Sequence, residues 1–316
     1  MLTTFVRRQS ILILVVVLFC VFSTLAPATF PTVDNLRGLA LGQSVSALLA
    51  LAVLMVVVSG EFDLSAGYVL GFSAVLSAKL AGELGWSPVV AIVAALLAGA
   101  VFGLVSGTLV ARLRVHSLIA TLGVGLAVSG LSVGVSGGQT LSTNIPAIIT
   151  NLARHRILGL EAAIWLVLLV AVVMYVVLVK TPLGRKIYAV GGSETVARMV
   201  GIRVQLLKTG MFVAAGLLAA LAGLLQLGLS GAANPAYGSN LLLPAFAAVF
   251  LGSTTVNPGF FNVWGTLLAV ALLAIGFSGL GLMGVPFWVE PVFDGLALIV
   301  GVLLSRWTAK EGVMAT

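Results

Sequence analysis

Ten runs of apolar residues, most of them near the roughly 20 residues a helix needs to cross a bilayer, leave this chain few folds to choose from. They fall near residues 10–26, 39–58, 65–82, 88–110, 118–136, 161–180, 208–229, 241–253, 263–284 and 287–305, the eighth being the shortest. In hydrocarbon the backbone N–H and C=O groups find no water, so such runs must satisfy them internally as helices. The expected fold class is all-α: a polytopic bundle of about ten transmembrane helices forming a single transmembrane domain over residues 1–316. Composition agrees, since 60% of the 316 residues are hydrophobic and only 8% are charged. The mean hydropathy of +1.22 makes lipid, not water, the solvent for most of the chain.

A net charge of +7 would suggest nucleic acid in a soluble protein, but here the position of each cation relative to the membrane matters more than the sum. With the N-terminus inside, twelve of the sixteen Lys and Arg residues fall on cytoplasmic segments: Arg7, Arg8, Arg112, Arg114, Lys180, Arg185, Lys186, Arg198, Arg203, Lys208, Arg306 and Lys310. Only Arg37, Lys79, Arg154 and Arg156 fall outside. The positive-inside rule therefore favours cytoplasmic termini, which requires an even number of crossings. The first 28 residues imitate a secretory signal, with Arg7-Arg8, an apolar run and Ala26-Pro27-Ala28. The apolar stretch from Ile11 to Ala26 is long enough to serve instead as an uncleaved first span.

Glycine is abundant, with 37 residues, and patterned. Gly99, Gly103 and Gly107 recur every four residues, which puts them on one helix face and lets a neighbouring backbone approach closely. Gly216, Ala220 and Gly223 form a similar face. A faint internal echo is visible too. The run ending near Val58 breaks at Ser59-Gly60-Glu61-Phe62-Asp63 and resumes, and the run beginning at Leu241 does likewise between Gly252 and Gly259. Interrupted helices of this kind line polar pathways in transporters.

Several chemistries are disfavoured. No G-x-x-x-x-G-K-[S/T] loop is present, so ATP hydrolysis by that mechanism would fall to a partner. A G-x-G-x-x-G match at Gly279, Gly281 and Gly284 lies inside an apolar run and follows no strand, so it does not read as a dinucleotide site. Two overlapping G-x-S-x-G matches, at Ser132 and Ser136, raise an intramembrane serine protease as a rival. That reading needs a histidine base within hydrogen-bond reach, and His116 and His155 sit at the far ends of neighbouring spans. Two histidines and the lone Cys20 make a catalytic metal improbable. A gradient-driven carrier is the other rival, and Asp63 is its one serious mid-membrane acid.

Asp63, Leu64 and Ser65 are placed to cap the third helix, with a carboxylate or hydroxyl accepting from free backbone amides. Glu290 and Asp294, four apart, share a face near the start of the last span. The segment 181–205 carries dense positive charge without being a featureless tail. Ser193 is placed to cap a short helix, Glu194 suits its N-terminal end, and Gly201 follows Ala197-Arg198-Met199-Val200 as a stop. A short cytoplasmic helix with small and apolar positions on one side and charge on the other is expected, a pattern suited to a partner's groove.

At these residues the chain resembles the ribose-type permeases of bacterial ATP-binding-cassette importers, from the second span almost to the C-terminus. Ser59-Gly60-Glu61-Phe62-Asp63-Leu64-Ser65-Ala66-Gly67 is similar to the family's glycine-glycine-isoleucine-aspartate-leucine-serine-valine-glycine signature, with departures at Glu61 and Phe62. The stretch from Gly184 to Ile202 resembles the family's cytoplasmic loop, and Phe287-Trp288 with Asp294-Gly295 resembles its last span. The resemblance implies a bacterial inner-membrane subunit that pairs with a second permease copy or paralogue. It implies a cytoplasmic ATPase that holds ATP and magnesium, and a periplasmic or lipid-anchored sugar-binding protein outside. The permease itself would bind no cofactor and no nucleic acid. By the same implication the loop 181–207 couples to the ATPase through Arg185, Gly192, Glu194, Ala197, Arg198 and Gly201, and Asp63, Ser65 and Asn257 are pathway or gate candidates. The substrate would be a sugar or related small polar solute.

Overall fold

A computed structural model describes residues 9–286 and 288–314, with side chains described up to residue 305. Arg7, Arg8 and Phe287 lie outside it, as do the side chains of Arg306 and Lys310. The regular structure of the described residues is helical apart from one hairpin of two-residue strands and an isolated bridge between Leu141 and Ala233. In order the helices are α1 (Ser10–Leu25), α2 (Val33–Gly42), α3 (Ser44–Val57), α4 (Ala66–Ser77), α5 (Pro88–Ala111), α6 (Ser117–Ser136) and α7 (Ala147–Arg154). After the hairpin β1 (Arg156–Ile157) and β2 (Leu160–Glu161) come α8 (Ala162–Tyr175), α9 (Pro182–Gly192), α10 (Glu194–Met199) and α11 (Val204–Ser230). The last are α12 (Tyr237–Asn240), α13 (Leu242–Gly252), α14 (Val263–Leu282) and α15 (Val289–Met314). Wide turns extend α4 through Ala78–Glu83 and α8 through Val176–Lys180.

Every one of the ten apolar runs is helical, but they are not equal in length. Among the described residues five segments are long and apolar enough to cross a membrane: α5, α6, α8 with its extension, α11 and α14. A sixth is the pair α2 and α3, bent by 42° at Gln43. The 24 residues of α5 span about 36 Å, enough for a hydrocarbon core of about 30 Å. By contrast the 16 residues of α1 reach about 24 Å.

The chain divides into two compact units, one of residues 1–50 and 243–316, the other of residues 51–242. In the first, α1 packs on α14 where Phe22 covers Gly279, and Phe30, fully buried, lies 5.4 Å from the Phe22 ring. Gly276 makes room for Phe293, and Gly301 for Leu251.

The second unit is built on the seam between α5 and α11. Gly99 faces the Gly216 carbonyl and Ala220, Gly103 faces the Phe212 backbone, and Gly107 faces Thr209. A side chain on any of the three would strike the opposite helix. The two small-residue faces seen in the sequence thus meet each other, Gly99 and Gly103 against Gly216 and Ala220. Gly223, one turn further, accommodates the Leu70 carbonyl of α4 instead. The α4 helix is almost wholly buried, and Tyr68 fills the space left by Gly125 on α6. Beyond the α11 terminus, α7 is held by Ile149 and Ala153 against Gly228 and by Arg154, whose guanidinium donates to the Leu229 carbonyl. Neither α7 nor the hairpin is foreseen by the apolar runs, because both are short and half-exposed.

Candidate functional site

Within the second unit a group of polar side chains meets where the break between α3 and α4 adjoins the loop that carries α9 and α10. The break starts as α3 runs out. Ser59 and Gly60 donate their amides to the Val56 and Val57 carbonyls at 3.0 Å, and Gly60 adopts φ 84°, which glycine tolerates. The chain then turns into α4 with its amides held by side chains. Phe62 N donates to Ser117 Oγ at 3.4 Å and Leu64 N to Thr121 Oγ1 at 3.0 Å. Asp63 Oδ1 accepts from Ser65 N at 2.9 Å and from Ser65 Oγ at 2.5 Å. Asp63 and Ser65 are each 1% exposed, and Ser65 Oγ lies 3.3 Å from Ser106 Oγ on α5. Asp63 thus closes the turn before α4, whereas Ser65, the N-cap, makes no side-chain cap bond of its own, and the turn is tied to α5 and α6.

The second break, in the other unit, is organised by a residue that the sequence reading did not name. Asn257 is exposed, whereas Asn262, 8% exposed, organises the turn. Its Oδ1 accepts from Gly265 N at 2.7 Å, and its Nδ2 donates to the carbonyls of Phe260, Thr255 and Gly252 at 3.0–3.3 Å. An Asn directly before an apolar run is an N-cap signal, and it was available in the sequence.

The loop 181–207 holds two helices rather than one. Thr181 caps α9, its Oγ1 accepting from Gly184 N, with Pro182 at the first position. Ser193 caps α10, its Oγ accepting from Val196 N at 3.4 Å, and Gly201, φ 80°, ends it. Ala197 is 1% exposed and packs with Val190 and Val204, so it seats α10 on its own loop. The opposite side is open: Val196, Met199 and Val200 are 58%, 80% and 70% exposed. Arg185, Gly192, Arg198 and Gly201 are exposed as well.

Lys208 joins these parts. The helix α11 begins at Val204, four residues before the expected start of its span, so Lys208 lies inside the helix and is only 7% exposed. A buried ammonium in the first turns of a helix is unfavourable twice over, by desolvation and by the positive end of the dipole. Two carboxylates offset both. Lys208 Nζ donates to Glu61 Oε1 and to Glu194 Oε2, each at 2.6 Å, and Arg198 adds a further bond to Glu194 from one turn along α10. Glu194 is consequently held below the ordinary carboxylate range, first by the bond from Lys208 and then by Arg198, against the opposing effect of burial. A cleft of about 850 Å³ opens beside the cluster, with Arg114, His116 and Leu118 on its other wall. Sequence reading treated Glu61 as a departure and Lys208 as one more flanking cation. The available signal was that each charge adjoins an apolar run, where an unpaired charge is costly.

The protease arrangement does not form. Sixteen residues of one helix separate His116 from Ser132, about 24 Å, and Ser136 Oγ bonds only to its own helix and turn.

A many-helix membrane protein whose polar contacts gather where a broken helix meets a loop has the build of a transport subunit. Residues 35–303 match the family described as the permease component of branched-chain amino acid transport systems, and the chain belongs to that family. It is 32% identical over 302 residues to the ribose import permease protein RbsC of Escherichia coli, covering 95% of this chain and 94% of that protein. The ribose import permease of Bacillus subtilis is 33% identical over 275 residues, 86% of this chain and 84% of that one. The L-arabinose ABC transporter permease protein AraH of Azospirillum brasilense is 30% identical over 306 residues, 97% and 89% of the two chains. No solved structure matches the chain. The protein is a multi-pass membrane permease subunit, and its role is transport, not catalysis.

Proposed function

We propose that this permease forms the translocation pathway of a bacterial inner-membrane importer for a sugar or related small polar solute, as a single transmembrane domain. In this reading it crosses the membrane ten times with both termini in the cytoplasm. It pairs with a second permease copy or paralogue, takes solute from a periplasmic or lipid-anchored binding protein, and is driven by a cytoplasmic ATPase that holds the ATP and magnesium. The sugar class rests on relatives named for ribose and L-arabinose, together with one named for autoinducer 2 import.

The observation that carries the coupling role is α10. A six-residue helix that leaves Val196, Met199 and Val200 open beside the charged edge of Glu194 and Arg198 suits a partner's apolar groove with a polar rim. Ala197 seats that helix, Gly201 ends it, and Arg185 and Gly192 flank the same surface. Asp63, Ser65 and Asn257, at the two helix breaks, are the pathway or gate candidates.

The test is affinity purification of the tagged chain in mild detergent, followed by identification of what co-purifies. We expect an ATPase with a phosphate loop, lost on Glu194→Lys or Arg198→Glu while membrane insertion is kept. Recovery of the chain alone, with transport retained in ATP-free vesicles, would move the assignment to a gradient-driven carrier.

A further inference from the structure

We propose that Lys208 is a transmission residue, which passes movement of α10 to the turn before α4 through its simultaneous bonds to Glu194 and Glu61. The inference rests on the coupling reading above and adds to it the route by which a displaced α10 reaches the helices of the bundle.

The geometry supplies each link. The ammonium has three donors, and two are committed at 2.6 Å to carboxylates on different segments. With Arg198 on Glu194, the four groups sum to zero charge, and Lys208 and Glu61, with side chains 9% and 18% exposed, tolerate that burial only while they stay paired. When α10 shifts, the Lys208 side chain, 9% exposed and reached by solvent only along the cleft, keeps its carboxylates in preference to water and either follows Glu194 or draws Glu61 along. A second contact keeps the turn in register with the loop. Gly60 packs on the Gly191 backbone at the end of α9, and Gly191 in turn abuts the Val58 carbonyl.

From Glu61 the turn leads directly to helix termini. The next residue, Phe62, is bonded to Ser117 at the start of α6, Leu64 to Thr121 one turn on, and Asp63 through Ser65 to Ser106 of α5. A displacement of the turn therefore acts on three helices at their ends. Glu61 is also where the chain departs from the glycine of the signature it resembles.

The test uses the tagged chain with the ATPase it co-purifies and needs no knowledge of the solute. In a Cys20→Ser background, Phe62→Cys reports on the turn and, in a separate variant, Thr195→Cys reports on α10; both positions line the cleft. The rate of maleimide modification is measured with and without magnesium-ATP and vanadate. With Glu61 and Lys208 intact we expect both reporters to change rate by about fivefold or more, the lower range of an allosteric coupling. Glu61→Gln, or Glu61→Gly if that variant inserts poorly, should abolish the change at position 62 and leave that at position 195. Lys208→Arg, which keeps the charge and both carboxylate partners, should preserve both. A full response at position 62 in Glu61→Gln or Glu61→Gly would overturn the transmission role and leave the docking of α10 standing. Silence of the α10 reporter in the otherwise unaltered chain would overturn the coupling reading and this inference with it.

Discussion

Within the unit of residues 51–242, two joints hold α11 in opposite ways. Along its middle, backbone meets backbone: Gly99, Gly103 and Gly107 bring α5 against Gly216, Phe212 and Thr209, with no charged group at the contact. Near its N-terminal end, Lys208 holds α11 to Glu61 and Glu194 through full charges on long side chains. The first joint depends on shape. It has one good arrangement, because close-packed surfaces cannot slide without opening voids or clashing. The second depends on charges whose partners sit on a turn and on a short helix, and such contacts can lengthen, rotate or exchange. A transporter needs both, a rigid seam to move as one body and a contact whose energy differs between two states.

Breaking the seam should have the largest effect. A side chain at Gly103 would collide with the Phe212 backbone, which cannot rotate away. Gly103→Leu should therefore cost about 3 kcal/mol or more, the upper range for overpacking, and abolish the monodisperse peak in size-exclusion chromatography in detergent. Gly123, on α6, has open space where its Cβ would be, and Gly123→Leu should leave that profile unchanged. Equal losses from the two substitutions would mean that glycine content, rather than the seam, governs folding.

Breaking the cluster should cost less stability. Lys208→Met leaves Glu61 and Glu194 without their shared cation, but their side chains are 18% and 38% exposed, so solvent screens part of the loss. We expect about 1–2 kcal/mol, below the cost of breaking a fully buried pair, read as a lowered melting temperature. Adding Glu61→Gln to Lys208→Met should lose less than the sum of the single changes, since one interaction cannot be removed twice. Additive losses would show that the two groups are independent.

The two joints also differed in how far the sequence announced them. Gly99, Gly103 and Gly107 are spaced by the helix repeat, so this small-residue face, like that of Gly216 and Ala220, was readable before any coordinates, although their meeting was not. The apolar runs located the long helices for the same reason, that period and length are local properties, while the described residues hold five or six segments long enough to cross a membrane. The cluster could not be read in this way. Glu61 and Lys208 are 147 positions apart, and nothing local pairs them. Lys208 was further obscured because the apolar run begins near it while the helix begins at Val204, where polar Gln205 still permits helix but dilutes the hydropathy. Ser193, Glu194 and Gly201 revealed α10 by its ends, and the helix α9 before it was missed although Thr181-Pro182 carries the same kind of start signal. Asn262 went unnamed because the glycine and proline of the second break drew attention to its centre, whereas the residue that satisfies the backbone sits at its exit.

The smallest effect, and the one that most directly separates the joints, is that of acid. The seam holds no titratable group, so its contribution should be flat with pH. The carboxyl of Glu194 is held below its ordinary value of 4.5 by Lys208 first and Arg198 second, and Glu61, His116 and Arg114 line the cleft beside it. A lowered value in the folded state means that the unfolded chain binds the proton more readily. The stabilisation is then fully present above the ordinary value and is lost as pH falls through the lowered one. Melting curves of the unaltered chain and of Glu194→Gln in detergent should stay separated by a constant interval from pH 8 to about pH 5. The interval should narrow below about pH 4.5, where the carboxyl of the unfolded chain takes up its proton first. Gly103→Ala, which perturbs only the seam, should keep a constant offset from the unaltered chain throughout. An interval for Glu194→Gln that is equally flat into the acid range would mean that Glu194 stabilises the protein through shape alone, and the contrast between the two joints would fall.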